Sequence, residues 1–196
     1  MNKFNEDEFF SICERFNVQP YSEEVVINCS AEHYFNKMKN IVKEDRRGEV
    51  VFCVVRPSGK VILVTCEEYP PEVYRIPTGG IKHGEDIIKA VYREAKEELG
   101  LMVEITDFIG VLKIEFKFKN DFVMFYSYLF ILKESGGRLL EDAEDDEISE
   151  VKEADLKEFQ EALGILKNIC GKWEDWGRFR YETSRAVLNY LRNNSR

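Results

Sequence analysis

The clearest periodic pattern in the chain lies at 86–99, a stretch without glycine or proline. Apolar residues recur along it with the period of a helix and form one sector, which comprises Ile88, Val91, Tyr92, Ala95 and Leu99. A second sector carries Glu94, Glu97 and Glu98, which are spaced i, i+3 and i+4. The pattern predicts a helix of four turns that ends at Gly100. Its carboxylate sector need not be the face turned to water.

The other hydrophobic patterns predict an alternation of strands and helices. Runs rich in β-branched and aromatic residues indicate strands at 49–55, 60–65, 73–76, 103–115, 122–132 and 148–151. Turn residues at 56–59 and 119–121 separate two pairs of these runs. Helical spacing returns at 155–168 and near residue 175, where Trp176 and Phe179 begin an apolar face. Strands on both sides of one central helix predict an α/β fold with a mixed sheet.

The first 45 residues follow a pattern of their own. Two short amphipathic helices, marked by Phe9 and Cys13 and by Tyr34 and Met38, flank an apolar run at 25–27. We therefore divide the chain into an N-terminal extension, 1–45, and a main domain, 46–196. The pattern leaves three roles open for the extension: it caps the main domain, helps to form a homodimer or shapes a substrate pocket.

Composition argues against several classes of function. The chain carries a formal net charge of −9 and no stripe of Lys or Arg, which argues against binding to duplex nucleic acid. No apolar stretch marks a signal peptide or a membrane span, so a cytoplasmic location without membrane contact is expected. Five scattered cysteines form no Cys-x-x-Cys pair, which predicts reduced, mostly packed thiols.

Glycines precede the central helix at Gly79, Gly80 and Gly84. They allow positive φ values and close approach of the backbone, so a tight loop is predicted to lead into the helix. On the helix, three like charges on one face repel one another. A divalent cation would relieve this repulsion, and oxygen ligands suit Mg²⁺, with Mn²⁺ as a substitute. The alternative is a solvated charged helix in which Arg93 pairs with Glu97.

The same residues form a longer pattern. The template G-x5-E-x7-R-E-U-x-E-E-x-G-U, in which U is aliphatic, is matched by Gly79, Glu85, Arg93, Glu94, Glu97, Glu98 and Gly100. Seven fixed positions, at about 7% usage each, match by chance on the order of once in 10⁸ windows. Ala95 and Leu101 fill the aliphatic positions. This stretch resembles the Nudix box, the signature of the Nudix hydrolases, and 75–80 resembles the Pro-x-Gly-Gly turn that enters it.

The resemblance implies a fold and a reaction. The fold is a Nudix-type α/β/α sandwich with a mixed β-sheet and the catalytic loop and helix in its middle. The reaction is Mg²⁺-dependent hydrolysis of the diphosphate bond in a nucleoside diphosphate linked to another moiety, by a metal-activated water. A small nucleotide-derived substrate is therefore expected, such as a nucleotide sugar, ADP-ribose or a nucleoside triphosphate. No subfamily mark follows the box, so the choice among these stays open.

The resemblance also assigns roles by position. Glu94, Glu97 and Glu98 are the metal carboxylates, the backbone carbonyl of Gly79 is a further ligand, and Glu94 is alternatively the general base. Arg93 pairs with a neighbouring carboxylate and keeps it ionised and oriented.

Residues around the box complete the set of candidates. Glu85 is expected to stabilise the loop and the start of the helix. A further base is expected from the acidic run at 141–147, with Glu147 as the first choice and Glu144 as the second. The alternative for this run is a solvated acidic turn.

The expected substrate contacts are Arg56, Tyr74 and Arg75, for which the alternative is ordinary surface pairing. Trp173 and Trp176 are expected to pack in the core rather than to stack on a base.

Two other classes of function compete with hydrolysis. One is a catalytically silent, Nudix-like module that binds a nucleotide for regulation. The intact carboxylates argue against it, because a sensor has no need of every metal ligand. The other is a structural protein whose charged helix is incidental, and the match at seven positions argues against that.

Overall fold

A seven-stranded mixed sheet forms the centre of the fold. The structure, a computed structural model, describes residues 3–144 and 147–194. The strands are β1 (Ser22–Asn28), β2 (Arg46–Val55), β3 (Val61–Thr65), β4 (Thr78–Lys82), β5 (Leu101–Phe118), β6 (Asp121–Gly137) and β7 (Glu150–Ala154). The helices are α1 (Glu6–Phe16), α2 (Glu32–Asn40), α3 (Ile87–Leu99), α4 (Leu156–Asn168) and α5 (Glu174–Asn194), with short π-helical and 3₁₀ turns before β2 and α5.

The strands follow the spatial order β1-β5-β6-β2-β3-β7, and β4 pairs with the first half of β2. Two pairs are parallel, β1 with β5 and β2 with β6, whereas the others are antiparallel. The hairpin of β5 and β6 is the longest element, and its turn at Lys119 has the left-handed backbone that such a connection requires. The mixed sheet predicted from the sequence is confirmed.

Alternate residues of the central strands point to two separate cores, as the period of a strand requires. Val50 and Phe52 face one core with α1 and α3. Val51 and Cys53 face the other with α2, α4 and α5. The predicted α/β/α sandwich is therefore confirmed.

The N-terminal extension is built into this sandwich. Its apolar run forms β1, which hydrogen-bonds to β5 along its whole length and so extends the sheet by one strand. Its two helices cover opposite faces, α1 through Phe9 and Ile12 and α2 through Tyr34 and Phe35. This arrangement fits a capping role, while the domain division at residue 45 and a homodimer stay predictions.

Four local predictions were wrong. Residues 73–76 form only an isolated bridge at Arg75, and the strand before the central helix is β4, which runs through Gly79 and Gly80. Neither of these glycines has a positive φ, whereas Gly84 does, so the loop begins only after Lys82. Tyr92 is 43% exposed rather than part of the apolar sector, and the last strand begins two residues later than predicted, at Glu150.

The remaining expectations concern thiols and membranes. Cys13, Cys29 and Cys53 are buried free thiols, Cys66 is half-buried and Cys170 is exposed, so most are packed as predicted. Burial raises the pKa of Cys53 to about 12, which keeps this thiol protonated. Over 3–144 and 147–194, no helix combines the length and the apolar character needed to cross a membrane.

Candidate active site

Helix α3 is positioned by its two ends. The side chain of Asp86 accepts a hydrogen bond of 2.9 Å from the backbone N–H of Lys89 and caps the first turn. At the other end Gly100 has a φ of 69°, the left-handed conformation that stops a helix. Between these caps, Ile87, Val91 and further apolar side chains fix the helix on the sheet, and the carboxylates of its last two turns lie beside β4.

Glu94 lies directly on the backbone of β4. Its side chain is only 10% exposed, and a Cβ added to Gly79 would come within 2.1 Å of its Cγ and Cδ. No side chain other than hydrogen fits at residue 79, so this glycine is required for close approach and not for an unusual φ. The contact explains why β4 carries glycine inside a strand.

Arg93 holds the carboxylates together. Its Nε and Nη2 donate to the two oxygens of Glu85 at 2.7 and 2.8 Å. Its Nη1 donates to Glu94 at 2.7 Å and to Glu97 at 2.8 Å. Nη2 also donates to the backbone carbonyl of Gly80 at 2.8 Å, which ties the helix to β4. The planar fork of an arginine is suited to such a hub.

The electrostatics of the hub differ from one carboxylate to the next. Burial raises the pKa of Glu94, and the neighbouring charge of Glu97 acts in the same direction, although Arg93 opposes both. The hydrogen bond from Arg93 lowers the pKa of Glu85, which also accepts from the backbone N–H of Lys82 at 2.9 Å. Glu85 is therefore a firmly ionised partner that keeps the loop closed on the helix, the role predicted for it.

Glu98 faces a second buried cation. It is 5% exposed. Desolvation lowers the pKa of buried Arg75, but Tyr69 and, after it, the negative charge of Glu98 raise this pKa above its ordinary value. Arg75 donates to the Tyr69 hydroxyl at 3.0 Å and to the Thr78 hydroxyl at 3.2 Å. Of the three predicted substrate contacts, Arg75 is the one that the structure brings to the helix carboxylates.

The carboxylates of α3 suit a hard divalent cation by their chemistry. Glu94 and Glu97 each give one oxygen to Arg93 and keep the second outside that contact, and the backbone of Gly79 lies under Glu94. Carboxylate and carbonyl oxygens are the ligands that Mg²⁺ and Mn²⁺ prefer. In the described part of the chain, no three acidic, histidine or cysteine side chains already converge on one point. Glu97, which is part-exposed, would have to adjust.

The acidic run contributes at two places, and Asp145 and Asp146 lie outside the described residues. Glu144 donates its backbone N–H to the Glu97 carbonyl at 2.8 Å, and its carboxylate is 3.7 Å from the Lys96 ammonium. Glu147 lines a recess of about 490 Å³ next to Tyr69. The assignment of Glu147 or Glu144 as an additional base stays a prediction.

Arg56 lies apart from the helix carboxylates, and Tyr74 contacts Glu150. Arg56 follows the end of β2. It lies six residues beyond Val50, the partner of Gly79 in the sheet, so about 20 Å of extended chain separates Arg56 from Val50. Its guanidinium forms ion pairs with Glu134 at 3.0 Å and Glu153 at 3.3 Å. Burial raises the pKa of Tyr74, and so does its hydrogen bond to Glu150. Their roles as substrate contacts stay predictions.

One aromatic pair and one buried ion pair lie near the site. Trp173 and Trp176 pack edge to face at 5.3 Å and both line the recess of Glu147, while Trp176 also packs against the core as predicted. Buried Glu49, opposite Gly80 in the sheet, pairs with Arg180 at 2.8 Å. Because 131 residues separate this pair, no spacing rule could have joined them.

Glu85→Gln is expected to lower the free energy of unfolding by about 1–2 kcal/mol at pH 7, because charge-assisted hydrogen bonds to Arg93 become neutral ones. The folded pKa of Glu85 lies below its ordinary value of 4.5, so this contribution is complete above pH 4.5 and is lost as the pH falls through the folded pKa. Urea unfolding at pH 7 and pH 3 measures it. Glu104→Gln, at an exposed position on β5, is the control. An equal deficit at both pH values would contradict the assignment.

Solved structures resemble the chain at low identity. An ADP-ribose pyrophosphatase from Streptococcus suis is 15% identical with a TM-score of 0.47, and the match covers 74% of this chain and 90% of that one. A UDP-X diphosphatase is 12% identical with a TM-score of 0.48, covering 96% and 71%. The dihydroneopterin triphosphate pyrophosphohydrolase of E. coli is 13% identical with a TM-score of 0.45, covering 72% and 94%.

The family comparison covers the site itself. The NUDIX domain model matches residues 45–174, which is more than half of the chain and includes β2, β4, α3 and the acidic run. These residues include all seven fixed positions of the box. Four of the seven are linked by ion pairs, because Arg93 pairs with Glu85, Glu94 and Glu97. The chain therefore belongs to the Nudix family of hydrolases.

Proposed function

We propose that this protein hydrolyses the diphosphate bond of a nucleoside diphosphate linked to another moiety, with Mg²⁺ as its cofactor and Mn²⁺ as a substitute. The substrate class comprises nucleotide sugars, ADP-ribose and nucleoside triphosphates. One observation carries the proposal: a nearly buried carboxylate, Glu94, is packed on the bare backbone of Gly79 and shares one arginine with Glu97. Burying a carboxylate beside a like charge costs free energy, which a bound cation would offset.

The residues of α3 and β4 would hold the ion. Glu94, Glu97 and Glu98 supply carboxylate oxygens, and Gly79 supplies its carbonyl. When bound, the ion neutralises phosphate oxygens and acidifies a water. Arg93 restrains the side chain of Glu94, so this carboxylate needs little reorganisation during the reaction.

Proton transfer and binding need further side chains. Glu147 accepts the proton of the attacking water, and the alternatives are Glu144 and Glu94 itself. Arg75, buried between Tyr69 and Glu98, offers positive charge to the phosphates. The net charge of −9 supports a small anion that arrives with its metal, in preference to duplex nucleic acid, as the partner. Cytoplasmic location stays a prediction.

A substrate panel tests the proposal. Purified protein is incubated with ADP-ribose, nucleotide sugars and nucleoside triphosphates, in Mg²⁺, in Mn²⁺ and in EDTA, and monophosphate products are quantified. We expect turnover of at least one compound in either metal and none in EDTA. Binding of a nucleotide without turnover of any compound would contradict hydrolysis and favour the regulatory module.

A further inference from the structure

A small cavity lies between α2 and α5, beside the glycine strand. Its volume is about 110 Å³, and we name it the α2–α5 crevice. The residues that define it are Tyr34, Lys37, Arg46, Glu49, Trp176 and Arg180. Arg46 and Glu49 connect it to the site, because a Cβ on Gly80 would come within 2.8 Å of the Arg46 guanidinium and because Glu49 pairs with Gly80 in the sheet.

Two buried donors in the crevice have no acceptor among the described residues. The hydroxyl of Tyr34, a residue that is 7% exposed, is one. The Arg180 Nε is the other, although its Nη1 pairs with Glu49 at 2.8 Å. Burial raises the pKa of Tyr34, so its hydroxyl stays protonated and able to donate. Leaving buried donors unsatisfied costs stability, which an incoming acceptor would restore.

The charge of the crevice favours an anion. Lys37 is exposed at its rim and forms no ion pair with any residue that the structure describes. Arg46 pairs with Asp45 at 2.6 Å outside the crevice, and its charge also reaches Glu94. The cationic groups of the crevice, on Lys37, Arg46 and Arg180, thus outnumber the carboxylates of Glu49 and Asp45. This excess is local, since the whole chain is acidic.

The crevice adjoins a larger, aromatic recess. The recess of about 490 Å³ shares Lys37 and Trp176 with it and adds Tyr69 and Trp173, and the carboxylates of Glu67, Glu68 and Glu147 also line it. Ligand sites for small molecules usually measure about 300–1,000 Å³, so the crevice alone is too small for a nucleotide, whereas the recess can hold a base. The indole of Trp176 lies where the two meet.

We propose that the α2–α5 crevice binds one phosphate group of a nucleoside phosphate substrate through Tyr34, Lys37, Arg46 and Arg180, with the base against Trp173 and Trp176. The choice of a nucleoside phosphate rests on the proposed function. Tyr34 and Lys37 belong to the N-terminal extension, and both lie outside the family match at 45–174. The extension then shapes the substrate pocket as well as capping the domain.

Tryptophan fluorescence tests this without catalysis. The chain has two tryptophans, and both line the recess, so a base that stacks there should change the emission. Metal-free protein in EDTA is titrated with ADP, GDP and UDP. We expect at least one nucleotide to change the emission with saturation. Tyr34→Phe and Lys37→Gln should each weaken that binding about tenfold, since each removes one donor to a charged group.

Matched variants control for unspecific effects. Lys39→Gln lies on the same helix but removes a lysine paired with Asp121 at 2.6 Å. Tyr21→Phe removes a hydroxyl bonded to Glu23 at 2.9 Å. Both should bind as the wild type does. Thermal unfolding checks that Tyr34→Phe and Lys37→Gln remain folded.

The outcomes separate this inference from the proposed function. The crevice proposal is overturned if the wild type does not bind any of the nucleotides. It is also overturned if Tyr34→Phe and Lys37→Gln both bind as tightly as the wild type. If both variants hydrolyse substrates with an unchanged KM, the crevice proposal is also overturned, whereas the proposed hydrolytic function is supported. Weakened binding in both variants supports the crevice even if the substrate panel shows no turnover.

Discussion

Glu97→Gln is expected to lower kcat by roughly 10³-fold, because electrostatic groups at a reaction centre contribute about that much each. The carboxylate is the most exposed of the three on its helix face and accepts from Arg93 at 2.8 Å, so the amide removes charge with little change of shape. Loss of the negative charge at residue 97 also removes its repulsion of the Glu94 carboxylate. We therefore expect the free energy of unfolding to change by less than about 1 kcal/mol. Steady-state kinetics in Mg²⁺ and urea unfolding measure the two effects.

A matched control is available on another helix. Glu161, on α4, is exposed and lies 3.9 Å from Lys157 at an i, i+4 spacing. Glu161→Gln therefore removes a carboxylate of similar local geometry far from the box and should leave kcat unchanged. A Glu97→Gln variant with kcat within about threefold of the wild type would show that this carboxylate has no part in the reaction.

Gly79→Ala is the second substitution with a large expected effect. The added methyl would lie 2.1 Å from the Cγ and Cδ of Glu94, far inside van der Waals contact, so the carboxylate must leave its place. We expect kcat to fall by about 10²-fold or more, since a misplacement of about 1 Å can cost that much. Overpacking should also lower the free energy of unfolding by about 1–3 kcal/mol. Kinetics and thermal unfolding test both.

Gly164→Ala is the control for this variant. Gly164 lies inside α4, and a Cβ there would meet no atom within 4 Å. Alanine should stabilise the protein by about 1 kcal/mol through helix propensity, without affecting kcat. If Gly79→Ala kept wild-type activity, the contact between Glu94 and β4 would not matter for the reaction.

The central helix could be predicted closely because its information is local. Asp86, the unbroken stretch after it and Gly100 determine both ends, and the structure places α3 at Ile87–Leu99. The same holds for α4, where Asp155 forms a capping box with Glu158. Strand edges were less accurate, since pairing partners far along the chain decide them. β4 exists because β2 pairs with it, although its glycines are weak strand formers.

The contacts around the carboxylates were only partly predictable. A pairing of Arg93 with a neighbouring carboxylate follows from helical spacing, but its bonds to Glu85 and to the Gly80 carbonyl depend on how the loop folds back. Tyr34 and Arg180 come from opposite ends of the chain, and only the tertiary fold brings them to one crevice. Sequence patterns therefore identify the carboxylates of the box better than the residues that line the crevice.

We propose that Glu94, Glu97 and Glu98 together hold a divalent cation against the glycine strand. Titration with Mn²⁺, followed by electron paramagnetic resonance of the free ion, measures this binding. We predict saturable Mn²⁺ binding by the wild type that Mg²⁺ displaces, weakened at least about tenfold in Glu97→Gln and in Glu98→Gln. Equal Mn²⁺ affinity in the wild type and both variants, or no binding by any of them, would contradict the claim.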